Sequence, residues 1–326
     1  MSDYFIGIDG GGSKTRAVVV DSDHNVLGRG EAGAANHFAV GIADATHQCT
    51  LAVRNALEDA RRFESDFDAE NIRSWGFGLA GVRRELDSQR VRAALGAVCS
   101  VPFALETDVV AAHAGAFAGA TGIVVSGGTG AITFGADEFG ERVYADGWGP
   151  ILGDEGGGYW MGVEALRATC RMLDGRSSPT LLAGAVMESL GVASGDELVH
   201  LIHAPASPRE RIASLARVVS QCAEGGVPEA IEIRARAGIL LSRGIRAVGR
   251  ALLQSRAERG AGPVEMLVAL RGGLFEDDFL RAAVGFNATE AMVELKRDYL
   301  PISGWRVVKP QYDAAVGAAI LGQLSL

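Results

Sequence analysis

Residues 4–21 have the sequence YFIGIDGGGSKTRAVVVD, in which an apolar run ends at an acidic residue, Asp9. A glycine cluster occupies residues 10–12, and a second run, rich in β-branched residues, follows at 17–20. Two such runs joined by glycine and hydroxyl residues are typical of two strands and a tight turn. The stretch therefore predicts a strand, a glycine turn and a returning strand.

The glycine turn has the composition of an anion-binding loop. Glycine allows backbone N–H groups to approach an anion closely, and the turn can form an anion-binding nest. A carboxylate at the end of the first strand can hold a hydrated cation. Together these features indicate a hairpin that binds a nucleotide phosphate and its metal. The candidate contacts are Asp9 on the metal side and, around the phosphate, Gly10, Gly11, Gly12, Ser13, Lys14 and Thr15.

Two other structures are compatible with parts of this stretch. A P-loop has Gly, four residues and then Gly-Lys-Ser/Thr leading into a helix. Here Lys14 follows Ser13, and residues 16–20 favour a strand, so a P-loop is not expected. A plain structural hairpin remains open for this segment taken alone.

The composition is that of a globular protein with two domains. A chain of 326 residues is too long for one small core, and 48% hydrophobic with 22% charged residues is ordinary for a soluble protein. The formal net charge is −9 and no block of Lys and Arg stands out, so we expect no nucleic-acid partner.

The spacing of the cysteines and the length of the apolar runs indicate the cellular compartment of the protein. The four cysteines are widely spaced and form no CxxC pair, which favours a reducing cytoplasm over a zinc or cluster site. No basic leader precedes the first strand, and no stretch approaches the ~18 apolar residues of a membrane span. We therefore expect a cytoplasmic protein without a signal peptide or a membrane partner.

The order of elements repeats along the chain. Residues 122–134 (GIVVSGGTGAITF) again predict a strand, a glycine turn and a strand. We interpret this as an internal duplication of an α/β domain with a boundary near residue 120. The predicted domains are 1–119 and 120–310, with a helix of small residues at about 311–326 that packs back on the first domain. Helices are predicted at 42–62, 88–98, 109–119, 231–254, 276–299 and 313–323, and further strands at 26–31, 72–79, 103–106, 263–270 and 305–308.

A third glycine site follows a later strand, where the apolar run 263–270 leads into Gly272 and Gly273. Glycine lets an adenine or ribose lie against the backbone, and backbone amides can bind phosphate without lysine. The three glycine sites thus indicate a nucleotide held between two domains. The second and third sites add Gly128, Thr129, Gly130, Gly272 and Gly273 to the candidate nucleotide contacts.

The order of these motifs resembles that of the actin-like ATPase and sugar-kinase superfamily, and within it the N-acetylglucosamine kinase branch of the BadF/BadG/BcrA/BcrD ATPase family. The resemblance implies an α/β fold of two ribonuclease-H-like domains with an interdomain cleft. It also implies an ATP-dependent amino-sugar kinase that uses Mg²⁺. The matching segments are 7–13 (GIDGGGS), 36–37 (NH), 107–108 (TD), 127–130 (GGTG), 147–156 (GWGPILGDEG, the most specific) and 309–317 (KPQYDAAVG).

The resemblance implies that Asp108 is the catalytic residue. A sugar hydroxyl needs a carboxylate within hydrogen-bond reach to orient it and accept its proton. Asp108 lies between a short predicted strand and a helix, so capping of that helix is the alternative role. Asp9 resembles the metal-side carboxylate of the family. Ser13 and Thr129 resemble its phosphate-contacting hydroxyls, with turn stabilisation as their alternative role.

The same resemblance implies the sugar contacts. Asn and Asp side chains offer donors and acceptors that complement sugar hydroxyls. Trp148 is expected to form an apolar wall, with an ordinary core tryptophan as the alternative. His37 either contacts the substrate or is a satisfied loop histidine. The candidate substrate contacts are Asn36, His37, Asp108, Trp148, Gly149 and Asp154.

The sequence leaves the acceptor open. The expected reaction is phosphorylation of the 6-hydroxyl of N-acetylglucosamine or glucosamine, and the motifs do not distinguish these two sugars from N-acetylmuramic acid or glucose. Arg271 precedes the adenosine glycines where a small or apolar residue is expected. By resemblance we expect a homodimer. The alternative functions are an ATPase activator with an iron–sulfur cluster and a non-catalytic sugar sensor.

Overall fold

The structure is a computed structural model that describes residues 3–64, 66–204, 209–298 and 300–326. It has the α/β composition expected from the sequence. The strands are β1 (Tyr4–Gly10), β2 (Thr15–Asp21), β3 (Val26–Ala32), β4 (Ile72–Leu79), β5 (Phe103–Thr107), β6 (Gly122–Gly127), β7 (Ala131–Ala136), β8 (Arg142–Asp146), β9 (Val264–Arg271) and β10 (Ile302–Val308). The helices are α1 (His37–Val40), α2 (Ile42–Phe63), α3 (Glu85–Gly96), α4 (Asp108–Phe117), α5 (Gly158–Leu173), α6 (Leu181–Leu190), α7 (Gly195–His203), α8 (Arg209–Glu224), α9 (Pro228–Glu258), α10 (Asp278–Arg297) and α11 (Ala314–Leu324).

The chain divides into two compact units. Unit 1 consists of Met1–Val124 and Lys309–Leu326, and unit 2 of Val125–Val308. One five-stranded sheet has the order β3-β2-β1-β4-β5, and the other, taken from its β8 edge, has the order β8-β7-β6-β9-β10. The two sheets therefore repeat one topology, as the duplicated glycine hairpins predicted. The domain boundaries near residues 120 and 310 remain a prediction, because a division by contacts does not test which segments fold independently.

Strand β1 is the centre of the sheet in unit 1. Its residues 4–8 are all buried, which is typical of a strand covered on both faces. It pairs antiparallel with β2 and parallel with β4, which places Asp9 opposite both Arg16 and Gly78. Strand β4 is in turn parallel to β5, with Gly78 opposite Glu106. The carboxyl ends of β1, β4 and β5 thus lie side by side, and ligands of α/β sheets bind outside such ends.

Helix α11 packs on the sheet of unit 1 at backbone distance. A Cβ atom on Gly7 would overlap the carbonyl oxygen of Ala315, and one on Gly76 would overlap that of Ala318. A Cβ atom on Gly317 of the helix would likewise overlap the carbonyl oxygen of Ala111 in α4. Glycine has no Cβ, so it permits this close approach. The small-residue helix predicted at 313–323 is therefore present and docked through glycines.

Several elements of unit 2 were not predicted. The sequence patterns did not identify β8 or the helices α5 to α8. Helix α9 is longer than the predicted 231–254 and begins at Pro228, because proline is tolerated in the first turn of a helix. The helix predicted at 276–299 begins at Asp278 and ends at Arg297, and its predicted last residue, Tyr299, lies outside the described residues.

The four cysteines are free, and two of them lie in unit 1 with weakly acidic thiols. Burial in the core, together with the neighbouring Cys99, raises the pKa of Cys49 to about 12. Burial alone raises the pKa of Cys99 to about 11. Because the thiolate is the reactive form, both thiols are unreactive near neutral pH.

Alkylation should report this burial. In native protein at pH 8 we expect Cys49, which is 1% exposed, to resist iodoacetamide, while the partly exposed Cys222 reacts. In denaturant all four should react at similar rates, because unfolding exposes every thiol to solvent. Mass spectrometry of the peptides measures both. Fast native labelling of Cys49 would contradict the buried position of α2.

Candidate active site

The first glycine hairpin leaves part of its surface open. The Gly11 N–H donates to the Lys14 carbonyl oxygen at 3.0 Å and closes the turn. A Cβ on Gly10 would lie 2.6 Å from Leu79, so this glycine is needed for packing. No described atom lies within 4 Å of a Cβ built on Gly12. Gly12 therefore has room for a ligand to approach the backbone.

The two hydroxyls of this hairpin have different surroundings. Thr15 is fully buried, and its Oγ1 donates to the Gly33 carbonyl oxygen at 2.7 Å. That hydroxyl therefore joins the start of β2 to the residue after β3, and it is not exposed at the turn. Ser13 and Lys14 are exposed at the tip. Of the two hydroxyl side chains, Ser13 is therefore the one placed to contact a phosphate.

The hairpin also positions Asn36. The carbonyl oxygen of Gly11 accepts hydrogen bonds from the N–H groups of Ala35 and Asn36 at 3.0 and 3.1 Å. The Oδ1 atom of Asn36 accepts the N–H of Phe38 at 3.1 Å and caps α1. Asn36 thus lies directly beside the first hairpin, and its side-chain oxygen accepts the hydrogen bond that caps α1.

His37 has the surroundings of a packed loop histidine. Its side chain is 7% exposed, and its Nε2 lies 3.7 Å from Oδ1 of Asp87. The ring lies 4.1 Å from that of Phe38, and its Cε1 would be 3.0 Å from a Cβ on Gly81. This packing favours a structural role, but Nε2 is buried with no hydrogen-bond partner among the described residues, so His37 is not a satisfied loop histidine. Asp87, which the sequence analysis did not identify, is its acidic neighbour.

Asp108 is the first residue of α4 and follows β5 directly. The N-cap of the helix is Thr107, whose Oγ1 accepts the N–H of Val110 at 3.4 Å. The capping role considered for Asp108 is therefore wrong, because its neighbour performs it. A carboxylate in the first turn also interacts favourably with the helix dipole.

Asp9 and Asp108 lie at the same edge of the sheet in unit 1. The register places Asp9 opposite Gly78, and a Cβ on Gly78 would lie 3.6 Å from Cα of Asp108. Two strand spacings separate β1 from β5, so the two Cα atoms are about 10 Å apart. Both residues are half-buried. The two acidic residues are therefore neighbours at one edge of the sheet of unit 1.

The second hairpin, in unit 2, rests on the start of α5. The N–H groups of Gly158 and Tyr159 donate to the carbonyl oxygens of Gly128 and Thr129 at 2.8 and 2.9 Å. A Cβ on Gly130 would overlap Oδ2 of Asp154, so Gly130 is needed for packing. No described atom lies within 4 Å of a Cβ on Gly128. Gly128 is thus the counterpart of Gly12.

The open space at Gly128 predicts a binding defect without a folding defect. In Gly128→Ala we expect the KM for ATP to rise about tenfold, which corresponds to about 1.4 kcal/mol of lost binding free energy. The melting temperature should stay unchanged, because the added methyl meets no protein atom. Gly262→Ala is the matched control, since its Cβ also enters open space. An unchanged KM for ATP in the Gly128 variant would contradict a phosphate at this turn.

The loop 147–156 is held by two carboxylates. Oδ1 and Oδ2 of Asp146 accept the N–H groups of Asp154 and Glu155 at 2.7 and 2.8 Å. Oδ1 of Asp154 accepts the N–H of Gly149 at 3.2 Å, and its Oδ2 accepts Nη2 of Arg209 at 2.5 Å. Asp146 and Arg209 were missed, because no local pattern links either residue to Asp154.

The charge state of Asp154 depends on opposing effects. Burial raises the pKa of its carboxyl group above the ordinary value, and nearby Asp146 also raises it. The guanidinium of Arg209 and the Gly149 N–H lower it. Arg209 is therefore the main group that favours an ionised Asp154.

Trp148 is exposed on this loop. Its relative exposure is 60%, so the interpretation as an ordinary core tryptophan is wrong. Ile151 and Leu152 of the same loop are 93% and 78% exposed. Gly149 adopts a φ of +88°, which glycine adopts readily. The loop thus presents apolar side chains to solvent, which suits a wall for the apolar face of a sugar ring.

The third glycine site lies at the end of β9. Gly272 has a φ of +102°, and a Cβ on it would overlap the Gly127 carbonyl oxygen. Gly272 therefore packs against the start of the second hairpin. Gly273 has no described atom within 4 Å of a Cβ position, so its surface is open. Arg271, the residue that departs from the family pattern, is half-buried.

A cavity of about 320 Å³ lies in unit 2, between α5 and α9 and beside the loop 147–156. Glu155 of that loop lines it, whereas none of the candidate substrate or nucleotide contacts does. The guanidinium of Arg236 lies 5.3 Å from the ring of Trp160 and 3.3 Å from Glu164, so its charge is already compensated. The lining residues are Glu155, Trp160, Arg236, Ile239, Leu240 and Arg243.

Asp9 can serve a metal that a nucleotide brings. Among the residues that the structure describes, no group of three or more His, Cys, Asp or Glu could hold a metal ion. Mg²⁺ at nucleotide sites is commonly held by one or two carboxylates together with substrate phosphates and water. A single carboxylate at the end of β1, beside an open glycine turn, fits that arrangement.

Comparison with known proteins identifies the family. A family model for the BadF/BadG/BcrA/BcrD ATPase family matches residues 6–322. The chain belongs to the BadF/BadG/BcrA/BcrD ATPase family. The family resemblance expected from the glycine motifs is thereby confirmed.

The chain is also similar to proteins named as amino-sugar kinases. The N-acetylmuramic acid/N-acetylglucosamine kinase of Clostridium acetobutylicum is 31% identical over 220 residues, 67% of this chain and 70% of that protein. The N-acetyl-D-glucosamine kinase of Dictyostelium discoideum is 30% identical over 208 residues, 62% of this chain and 65% of that protein. A solved structure from Chromobacterium violaceum, described as a candidate N-acetylglucosamine kinase, is 29% identical with a TM-score of 0.74, and 98% of each chain is covered.

A helix that spans a membrane must be long and apolar. Over the described parts of the chain, every helix is either too short or too polar to span a bilayer.

Proposed function

We propose that this chain transfers the γ-phosphoryl group of ATP to the 6-hydroxyl of N-acetylglucosamine or glucosamine, with Asp108 as the general base. At the coarser level the chain is an ATP-dependent sugar kinase of the amino-sugar class, as its named relatives are. The observation that carries the finer proposal is the placement of Asp108 and Asp9 at one edge of a sheet, beside an open glycine hairpin.

In the proposed mechanism Asp108 orients the acceptor hydroxyl and takes its proton. The bond between the sugar oxygen and the γ-phosphorus forms while the bond from that phosphorus to the β–γ bridging oxygen breaks. ADP leaves with the bridging electron pair, and the proton stays on the carboxyl group of Asp108. Positioning and charge stabilisation account for most of the catalysis in such transfers.

The backbone amides of the two hairpins hold the phosphates in this proposal. Gly11 and Gly12 lie in the first turn, and Gly128 with Thr129 in the second, where no lysine is needed to bind an anion. When bound, Mg²⁺ neutralises phosphate charge. We assign Asp9 to its water shell. Gly273 offers a flat surface against which the adenosine can lie.

Asn36 and Asp154 are the polar groups that we assign to the sugar. In each residue one side-chain oxygen accepts a hydrogen bond from a nearby backbone N–H group. Both side chains are therefore held in place before the substrate arrives. Trp148, beside Gly149, supplies an apolar surface for the ring. His37 is assigned to shaping the loop that carries Asn36, because it is packed against Phe38.

A coupled assay of ADP release with a panel of sugars tests the proposal. We expect N-acetylglucosamine or glucosamine to stimulate release. Phosphorus NMR of the product should identify a 6-phosphate. If no sugar stimulates ADP release, the kinase proposal fails. If the phosphate is found on another hydroxyl, only the regiochemistry fails.

The two alternative functions receive less support. An activator holds an iron–sulfur cluster through cysteines at a subunit interface, and the four cysteines here have no neighbouring glycine-rich cluster motif. A sugar sensor does not need a carboxylate placed as Asp108 is. An iron-free, colourless preparation would exclude the activator. The homodimer and the cytoplasmic location remain predictions.

A further inference from the structure

Arg209 connects two parts of unit 2 that the proposed function uses separately. It is the first residue of α8, and its Nη2 donates to Oδ2 of Asp154 at 2.5 Å. The Asp154 side chain is only 10% exposed and the Arg209 side chain 39%. The guanidinium also lies 5.8 Å from the ring of Tyr159 at the start of α5. The Arg209 guanidinium is thus held by Asp154 and Tyr159, while part of the side chain remains accessible to solvent.

The same guanidinium lies against the second glycine hairpin. A Cβ built on Gly130 would lie 3.2 Å from Nη2 of Arg209. A ligand held by the backbone of this turn would therefore be within reach of the guanidinium.

One donor of Arg209 has no acceptor. Its Nε is buried, and no hydrogen-bond partner for it is found among the described residues. Buried polar groups are nearly always hydrogen-bonded, and an unsatisfied donor is costly. A guanidinium carries five N–H donors in a fixed fork that matches phosphate as well as carboxylate. The protein therefore satisfies the Arg209 guanidinium only in part, and because the side chain is 39% exposed, its remaining donors can take an acceptor that a ligand brings.

We propose that Arg209 is shared between the two substrates: it donates to Asp154 on the sugar side and to a phosphate oxygen of the nucleotide at the hairpin of Gly128 and Gly130. This inference rests on the proposed kinase function and adds a residue to it. The second hairpin has no lysine of its own, whereas the first has Lys14. Arg209 supplies the missing cation and makes binding of the two ligands interdependent.

The charges around Asp154 make this interdependence physically reasonable. The charged groups that face it are Arg209 from α8 and Asp146 from the end of β8. A phosphate at the hairpin adds negative charge near both carboxylates, and a shared guanidinium offsets it. By linkage, any change in sugar affinity caused by the nucleotide must equal the change in nucleotide affinity caused by the sugar.

Calorimetry on the full chain tests this with N-acetylglucosamine and a non-hydrolysable ATP analogue, each titrated alone and with the other saturating. We expect wild type to bind each ligand several-fold more tightly in the presence of the other. In Arg209→Ala we expect each affinity to fall about tenfold and the coupling to disappear. Arg209→Lys should retain part of the nucleotide affinity, because lysine keeps the charge. Arg217→Ala, on the exposed face of the same helix, is the control and should behave as wild type.

A pH series separates this role from a merely structural one. Without Arg209, burial raises the pKa of Asp154 with less opposition, so the carboxyl group is protonated at a higher pH. Sugar affinity in Arg209→Ala should therefore begin to fall at a higher pH than in wild type. A purely structural defect would lower affinity equally at every pH.

The outcomes distinguish this inference from the function on which it rests. If wild type binds neither ligand, the kinase proposal fails. If wild type binds both and Arg209→Ala retains wild-type affinities and coupling, the role of Arg209 is overturned while the kinase proposal stands. The same conclusion follows if affinity falls with unchanged coupling and no shift in the pH profile.

Discussion

Replacing Asp108 with asparagine should reduce sugar-dependent ADP release by a factor of about 100 to 10,000, the usual contribution of a general base. Asparagine has nearly the shape of aspartate, but its amide cannot accept the proton of the sugar hydroxyl. The helix should remain intact, because Thr107 and not Asp108 caps it. Binding of an ATP analogue should therefore be unchanged. Steady-state kinetics and calorimetry measure these two effects on one preparation.

Glu106 provides a matched control for this variant. It lies on β5, two residues before Asp108, and is similarly half-buried. Glu106→Gln removes a carboxylate two residues away, on the strand that leads into α4, so a general electrostatic effect would appear in both variants. We expect only Asp108→Asn to lose turnover. If Asp108→Asn keeps more than about a tenth of wild-type activity, Asp108 is not the general base.

Replacing Gly76 with valine should produce the largest loss of stability. Even one methyl group at this position would overlap the carbonyl oxygen of Ala318, so α11 would have to move away from β4. Overpacking of a tight core typically costs about 1–3 kcal/mol and occasionally more, and we expect the upper end here. At about 2–4 °C per kcal/mol, the melting temperature should fall by roughly 10 °C. Urea denaturation and calorimetry measure the change.

Gly304→Val is the control for the stability prediction. Gly304 also lies in a strand, β10, but nothing lies within 4 Å of its Cβ position. Valine suits a strand, so this variant should be close to neutral. Equal destabilisation of both variants would mean that the cost arises from loss of glycine in general. The backbone contact between β4 and α11 would then not be its cause.

The fold was predictable where the local pattern is strong. The stretch around Asp9 combines an apolar run with a glycine turn, and both strands formed where they were expected. The second hairpin repeated the signal, so the duplicated topology was also accessible. Strand β8 was not predicted, because its residues are at most half-buried and form no apolar run. Helices α5, α6 and α8 pack on one another and α8 also packs on α9, and the sequence pattern did not mark where each helix begins.

The candidate site was predictable as a set of positions, but its hydrogen bonds were not. Asp108 and Asp154 were both nominated, yet the partners of Asp154 are eight and 55 residues away. Such contacts arise from tertiary packing, which no local periodicity encodes. Thr15 shows the same limit, because only the observed register reveals that its hydroxyl is turned towards Gly33.

The position of α11 in the chain has a consequence for biosynthesis. Unit 1 contains this helix, yet Val125–Val308 emerges from the ribosome before it. At ~5–20 residues per second, the sheet of unit 1 waits roughly 10–40 s for the helix that covers Gly7 and Gly76. During that interval one face of β1 and β4 is bare, and such surfaces are prone to aggregation. We therefore expect nascent chains of this protein to depend on ribosome-associated chaperones until translation is nearly complete.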